Sequence, residues 1–341
     1  MILRVDVASP DATNWRIELE CVGNAMTAEF RRPIRMTSQE IKRELCVEAP
    51  TQDKLVIGCG YLGQRVARRW QQAGARVFVT TRSQTRADAF ASDGFLPLQM
   101  DVTRPDTWPV LPRVTQVCYC VGYDSRAAES RQAVYVDGLR NVLDALPEVS
   151  DRIIYVSSTG VYAQADDVWV DEQSPCDPRR EGGVVCRAAE DVLRQHPWGR
   201  RSVILRMAGL YGPGRIPYLD KIRRGEPLPV AAEGYLNLVH VDDAASVVLA
   251  AATASRLPDL FVVADGSPVR RAEYYGEIAR QLGKQVAFTA ADPGSPQAAR
   301  AASSKRICVE KLRRRLSIPW QYPSYREGLA ACLATERGAE A

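Results

Sequence analysis

From Lys54 onward, short apolar runs alternate with amphipathic stretches. The runs fall at 55–57, 77–79, 96–100, 114–120, 153–156, 203–205 and 260–263, and the stretches between them include 62–73, 130–146, 187–195 and 242–254. Runs that are apolar throughout, rather than every second residue, predict strands buried on both faces, and the intervening lengths suit covering helices. Right-handed crossovers then give an α/β fold with a doubly wound parallel sheet, a Rossmann arrangement, over residues 52–210.

Residues 211–341 change character. Pro213, Pro217, Pro227, Pro229, Pro268, Pro293 and Pro296 punctuate shorter elements, with helices predicted near 270–283 and 308–316. This reads as a smaller substrate-side region interleaved with the last Rossmann strands, over the carboxyl ends where doubly wound sheets bind ligands. Residues 1–51 form an N-terminal extension. There 15–21 alternates as a half-buried strand and 28–34 less clearly does so, which fits a small β addition. An unfolded extension, or translation starting at Met26 or Met36, is equally compatible with this stretch.

The 341 residues are 46% hydrophobic and 25% charged, the balance of a globular protein. A net charge of +4 gives no bulk electrostatic ground for a nucleic-acid or membrane partner. No apolar run approaches the ~18 residues of a membrane span. Nine Cys without a CxxC pair fit reduced thiols in a cytoplasm, and two His, His196 and His240, exclude a multi-His metal site. A soluble cytoplasmic protein with a small-molecule substrate is expected; a homodimer is compatible. Arg far outnumbers Lys, and no Lys occurs between Lys54 and Lys221.

The strongest chemical signal is Gly58-Cys59-Gly60-Tyr61-Leu62-Gly63, which joins a strand to a helix. In such a GxGxxG turn the first Gly makes the bend, the second admits a pyrophosphate against the backbone, and the third lets helix meet strand. The helix N-terminus adds unpaired N–H groups and a positive dipole. At the next strand tip an Asp or Glu for a ribose diol is expected, yet the chain reads Thr80-Thr81-Arg82-Ser83, with no acid before Asp88. A guanidinium flanked by the Thr81 and Ser83 hydroxyls favours the 2′-phosphate of NADP over NAD.

Further segments carry a family resemblance. Asp101-Val102-Thr103, Tyr135-Val136-Asp137-Gly138-Leu139-Arg140-Asn141, Val156-Ser157-Ser158-Thr159-Gly160-Val161-Tyr162, Leu205 through Arg215 and Leu238 through Asp243 follow the glycine turn in order. Together they resemble the extended short-chain dehydrogenase/reductases, within them an atypical branch of the NAD-dependent epimerase/dehydratase group. The resemblance implies that Asp101 and Val102 hold the adenine and that Cys120, Val121 and Gly122 lie along the cofactor. It makes Ser158 and Tyr162 the candidate catalytic pair, and Tyr211, Arg215 and His240 the candidate substrate-side residues.

One departure is severe. The family's proton donor is the Tyr of a Tyr-x-x-x-Lys helix; in the matching helix here Gly182 stands at the Tyr position and Cys186 at the Lys position. No Tyr lies between Tyr162 and Tyr211, so no shift of register restores the pair. Arg187 sits one position from the missing cation, turned about 100° around the helix. A Ser158, His240 and Asp242 triad lacks the GxSxG elbow. Two functions follow: an NADP-dependent oxidoreductase or epimerase whose acid has moved, acting on a carbonyl or nucleotide-sugar-like substrate, or a non-catalytic NADP-binding redox sensor or partner-binding module.

Overall fold

In the computed structural model the described residues are 2–6, 15–21, 24–30, 53–147, 150–290, 292, 294, 295, 298 and 304–340. The chain divides into two compact units, Met1–Pro50 and Thr51–Ala341. In the first, β1 (Ile2–Asp6), β2 (Trp15–Cys21) and β3 (Asn24–Phe30) form an antiparallel sheet in the order β1-β2-β3, with Trp15 opposite Phe30. The alternating 15–21 segment is thus a strand. Its partner begins at Asn24, earlier than the 28–34 reading, whose last four residues lie outside the described ones.

In the second unit, seven strands make the parallel sheet. They are β4 (Lys54–Ile57), β5 (Val77–Thr81), β6 (Leu96–Gln99), β7 (Gln116–Tyr119), β8 (Arg152–Ser158), β10 (Ser202–Met207) and β14 (Asp259–Val263), in the order β14-β10-β8-β7-β4-β5-β6. Each of the seven apolar runs became one of these strands. The order reverses between β4 and β7, and the crevice outside the carboxyl ends of those two is where such sheets take a ligand. Successive residues of β4 face opposite layers, which is why 55–57 are all apolar. Val56 packs with Val66 and Trp70 of α1 (Gly63–Gln72) and with Val247 and Val248 of α6 (Val241–Ala252). Leu55 and Ile57 pack with Leu139 and Val142 of α3 (Gly138–Ala145) and with Ala189 and Leu193 of α4 (Glu181–Gln195).

Three elements escaped the hydrophobic pattern. The polar helix α2 (Gln84–Ser92) is started by the Ser83 hydroxyl, which accepts from the Arg86 N–H, and it buries only Ala87 and Phe90. Helix α4 begins six residues before the predicted 187, through the pair Gly182-Gly183. Short β9 (Val168–Val170) pairs in parallel with β16 (Lys305–Ile307), a match between segments about 140 positions apart that no local pattern signals.

The 211–341 region does not form a separate compact unit. It returns α6 and β14 to the sheet, contributes β13 (Leu238–His240) as partner of β11 (Gly209–Tyr211), and pairs β12 (Tyr235–Leu236) with β15 (Val269–Arg270). Helices α5 (Leu219–Arg224), α7 (Arg271–Gln281) and α9 (Tyr325–Glu340) share an aromatic cluster that includes Tyr211, Tyr274, Tyr275 and Tyr325; α8 (Glu310–Arg315) packs beside β14.

A buried ion pair fastens α4 to the sheet. Glu190 of α4 and Arg206 of β10 are 0% and 2% exposed, and the guanidinium meets the carboxylate through Nε at 2.9 Å and Nη2 at 2.7 Å. Ser157 of β8 donates to the same carboxylate at 2.6 Å, and Arg194 at 2.8 Å. Burial alone would raise the Glu190 carboxyl; the Arg206 hydrogen bonds and charge, with Ser157 and Arg194, outweigh it and hold the group below its ordinary value. A folded-state value below the unfolded one stabilises the protein above the ordinary Glu range and loses that contribution as pH falls. Arg206→Met should therefore cost about 3–5 kcal/mol in urea unfolding at neutral pH, because it removes the two-pronged partner of a buried charge. The penalty should shrink when unfolding is repeated in acid, where Glu190 takes up a proton.

Candidate functional site

The glycine turn is built from three different constraints. Gly58 has φ +87°, and a Cβ there would stand 2.6 Å from the Val121 backbone. Gly63 opens α1, where a Cβ would meet the Cys120 sulfur at 3.0 Å and Val56 at 3.1 Å. Gly60 is different: the nearest atom to a Cβ is 3.9 Å away, so its face is open. Helix α1 has no side chain capping its first N–H groups and no acid in its first turn. A dinucleotide pyrophosphate fits this cradle, with room over Gly60 and unpaired N–H donors at Leu62 and Gly63.

The turn is held by residues that the motif does not include. Thr80 of β5 accepts from the Gly58 N–H through its hydroxyl at 2.9 Å. Arg86 of α2 donates to the Cys59 carbonyl at 2.7 Å, so a second guanidinium stands at the turn beside Arg82. Cys120 donates its thiol to the Gly58 carbonyl at 3.2 Å, and Gly122 beyond it faces open space. On the other side, the Tyr61 hydroxyl donates to the Pro213 carbonyl at 3.1 Å, while its ring carries Arg65 at 4.5 Å and Arg215 at 5.3 Å. That contact draws Arg215 from the 211–215 segment to the phosphate turn.

At the tip of β5, Arg82 is half exposed and lies 3.9 Å from Asp101 and 4.0 Å from Asp124. Thr81 accepts from the Ser83 N–H, and the Ser83 oxygen is used as the cap of α2, so the two hydroxyls shape the loop first. Partial burial opposes ionisation of Asp101, yet two hydrogen bonds from Thr103, with Arg82 and Arg104 nearby, hold its carboxyl below the ordinary range. Val102 is buried beneath Gly138.

At the end of β8 the structure separates the two expected catalytic residues. Ser158 is half-buried and accepts from the Gly160 N–H at 3.0 Å, which keeps its oxygen at the strand tip. Tyr162 is 1% exposed; its hydroxyl donates to the Asp171 carbonyl at 2.7 Å and accepts from Arg206 at 2.7 Å. Burial raises the phenol further, against the lowering by Arg206. The expectation of Tyr162 as proton donor is therefore corrected, because its hydroxyl is saturated inside the core. Lys305 of β16, a missed residue, donates to the Tyr162 carbonyl at 3.1 Å; burial, with Arg180 nearby, lowers its ammonium to about 8.

Two of the three substrate-side residues are also corrected. His240 is 1% exposed and caps α6: its Nδ1 accepts from the Asp242 N–H at 3.3 Å, and burial lowers its proton affinity. An accepting Nδ1 puts the ring proton on Nε2, toward the Cys332 sulfur at 3.5 Å, so the ring has no lone pair for a Ser158 triad. Tyr211 is buried edge-on to His240, with Tyr322 on the imidazole at 4.0 Å between ring centroids. These residues pack the small region; Arg215 alone of the three stays exposed. Arg187 pairs with Asp191 at 3.2 Å and lies 3.9 Å from the Glu190 carboxylate.

At the Tyr-x-x-x-Lys positions, Gly182 has nothing within 4 Å of where a Cβ would be, and the Cys186 thiol is pushed up to about 11 by burial. A parallel sheet with its glycine turn at the point where the strand order reverses defines a dinucleotide-binding Rossmann protein. The NAD dependent epimerase/dehydratase family matches residues 55–264, and the chain belongs to it. It is similar to protein YeeZ of Escherichia coli strain K12, 28% identical over 279 residues that cover 79% of this chain and 95% of YeeZ. A Methylobacillus flagellatus structure, provisionally described as an NAD-dependent epimerase/dehydratase, is 31% identical with a TM-score of 0.68, covering 84% of this chain and 99% of that one. The fold alone is shared with MoeE5 in complex with UDP-glucose and NAD, 20% identical with a TM-score of 0.70 over 85% of this chain and 100% of that one.

The glycines separate experimentally. Gly58→Ala should lower stability by about 1–3 kcal/mol from backbone strain alone, whereas Gly60→Ala should stay within about 0.5 kcal/mol. Thermal unfolding of both variants checks this.

Proposed function

We propose that this protein binds NADP through the 58–63 turn and acts as an oxidoreductase or epimerase on a carbonyl or nucleotide-sugar-like small molecule, in the cytoplasm. The observation that carries the reading is the open face of Gly60 above an uncapped helix, in a turn where Gly58 and Gly63 have no room for a side chain. When bound, the dinucleotide supplies or removes a hydride. The chain's own residues hold it: the Leu62 and Gly63 N–H groups toward the pyrophosphate, Asp101 and Val102 toward the adenine, Cys120 through Gly122 along its length. Ser158 then offers a hydroxyl to a substrate oxygen, and Arg215 a cation near the phosphates.

NADP is preferred to NAD because Arg82 supplies a guanidinium at the β5 tip, where a carboxylate would select an unphosphorylated ribose, and Arg86 supplies a second at the glycine turn. A 2′-phosphate would draw Arg82 from two carboxylates about 4 Å away, contacts weak enough to exchange. Support for a sugar-nucleotide substrate comes from the fold shared with MoeE5, whose structure holds UDP-glucose and NAD. A second reading, an NADP-binding sensor or partner-binding module, is favoured by the empty Gly182 position. Turnover of NADPH on a panel of carbonyl compounds and nucleotide sugars separates the two.

Two substitutions test the cofactor assignment by calorimetric titration. Gly60→Val should abolish binding of NADP and NADPH while the protein stays folded; unchanged affinity would remove the pyrophosphate from this turn. Arg82→Ala should weaken NADP by about tenfold or more, since a hydrogen bond to a charged group is worth roughly 1.5–3 kcal/mol. NAD affinity should be spared. Equal weakening of both cofactors, or a wild type that prefers NAD, would overturn the preference.

A further inference from the structure

The empty position at Gly182 lies in the first turn of α4, which packs against the segment that carries Arg131 and Tyr135. Residues Ala133–Asp137 form a π-helical turn ahead of α3, a rare geometry that often marks functional positions. It places Tyr135 half-buried against the loop at the tip of β7. There its hydroxyl accepts from the Tyr123 N–H at 3.1 Å, one residue beyond the open Gly122, and donates to nothing among the described residues. Arg131 lies one turn earlier. Its guanidinium stacks on Tyr123 at 4.1 Å and pairs with Glu181, the residue before Gly182, at 3.3 Å. Its charge acts on both the Tyr135 phenol and the Cys186 thiol, which stands at the Lys position.

We propose that Tyr135 is the relocated catalytic proton donor and that Arg131 is its positioning cation, an Arg-x-x-x-Tyr pair on one helical turn facing the positions where the family keeps Tyr-x-x-x-Lys. The proposal rests on the NADP-dependent reading above and names the acid that reading lacks. In reduction, Tyr135 gives its proton to the substrate oxygen as the carbonyl carbon takes a hydride from the reduced dinucleotide and the C=O π pair moves onto that oxygen. An alcohol, an oxidised dinucleotide and a Tyr135 phenolate remain, and a solvent proton restores the phenol. Burial raises the Tyr135 phenol; the Tyr123 N–H and the Arg131 charge oppose that rise. Other titratable neighbours, the Cys186 thiol and the buried Tyr119 and Tyr155 phenols, are uncharged at neutral pH, so Arg131 is the cation that steadies the phenolate. Tyr162 cannot serve, since Asp171 and Arg206 hold its hydroxyl.

Calorimetry of the wild type with NADPH and NADH comes first: loss of both removes the cofactor reading and this proposal with it, whereas binding isolates the question of the acid. With NADP bound, the difference between ultraviolet pH titrations of wild type and Tyr135→Phe reports this one phenol. Arg131→Gln should move its midpoint to higher pH, and Arg131→Lys should restore it. With phenanthrenequinone, benzaldehyde, cyclohexanone and a keto-sugar nucleotide as substrates for NADPH, Tyr135→Phe should lower kcat roughly 10²–10⁴-fold, with NADPH affinity unchanged. An unmoved midpoint in Arg131→Gln overturns the proposal. So does wild-type turnover by Tyr135→Phe, or a wild type that binds NADPH and reduces none of the four.

Discussion

The buried pairing of Glu190 with Arg206 sets the frame for the rest of the second unit. It joins α4 to β10, and through Ser157 to β8, so one carboxylate fixes a helix against two central strands. With α4 fixed there, Gly183 lies against the Gly160 carbonyl, a contact that leaves no room for a side chain. The turn after β8 and the start of α4 therefore close on each other, and the space beside Gly182 stays open. The same guanidinium takes the Tyr162 hydroxyl into the core. A buried pair of this kind is weak evidence of net stabilisation against an apolar alternative. Its consequence here is geometric: it decides which hydroxyl groups face the cleft.

Around the glycine turn, positions that look equivalent in the motif do unlike things. Gly58 and Gly63 are glycines because neighbouring backbone and side chains fill the space, and Gly60 because its face is open. Thr80 and Arg86 pin the turn from β5 and α2, and Tyr61 ties it to the 211–215 segment through Pro213. The phosphate turn and the region over it are thereby linked by an aromatic ring with two guanidinium groups against it, and by Arg65, which joins the Tyr61 carbonyl to Asp242.

The family relationship fixes the fold and the cofactor class more firmly than the chemistry. Where the family keeps its acid and cation, this chain has a glycine and a buried thiol, while His240 and Tyr211 have become packing residues around a helix cap. Open polar groups gather instead at Ser158, at Arg215, and at the π-helical turn that carries Arg131 and Tyr135. At that turn the Tyr135 hydroxyl accepts from the Tyr123 N–H and donates to nothing among the described residues.

The sequence by itself determined the sheet, since strands covered on both faces are apolar over consecutive positions, and all seven runs became strands. It also determined the glycine turn, whose chemistry is local in the chain, and the loss of the Tyr-x-x-x-Lys pair, which needs only an inventory of Tyr and Lys. Tertiary structure decided what long-range contacts decide. Tyr162 lost its proton-donor role to Arg206, 44 positions away. His240 became a cap enclosed by Tyr211 and Tyr322, and Lys305 arrived beside Tyr162 through a strand pairing with no local signature. Arg131 and Tyr135 were visible as letters one helical turn apart, but their meeting with the empty Gly182 depends on how α4 packs. Side-chain type limits what a residue can do; burial and the partner across the fold decide whether its polar atoms are free to do it.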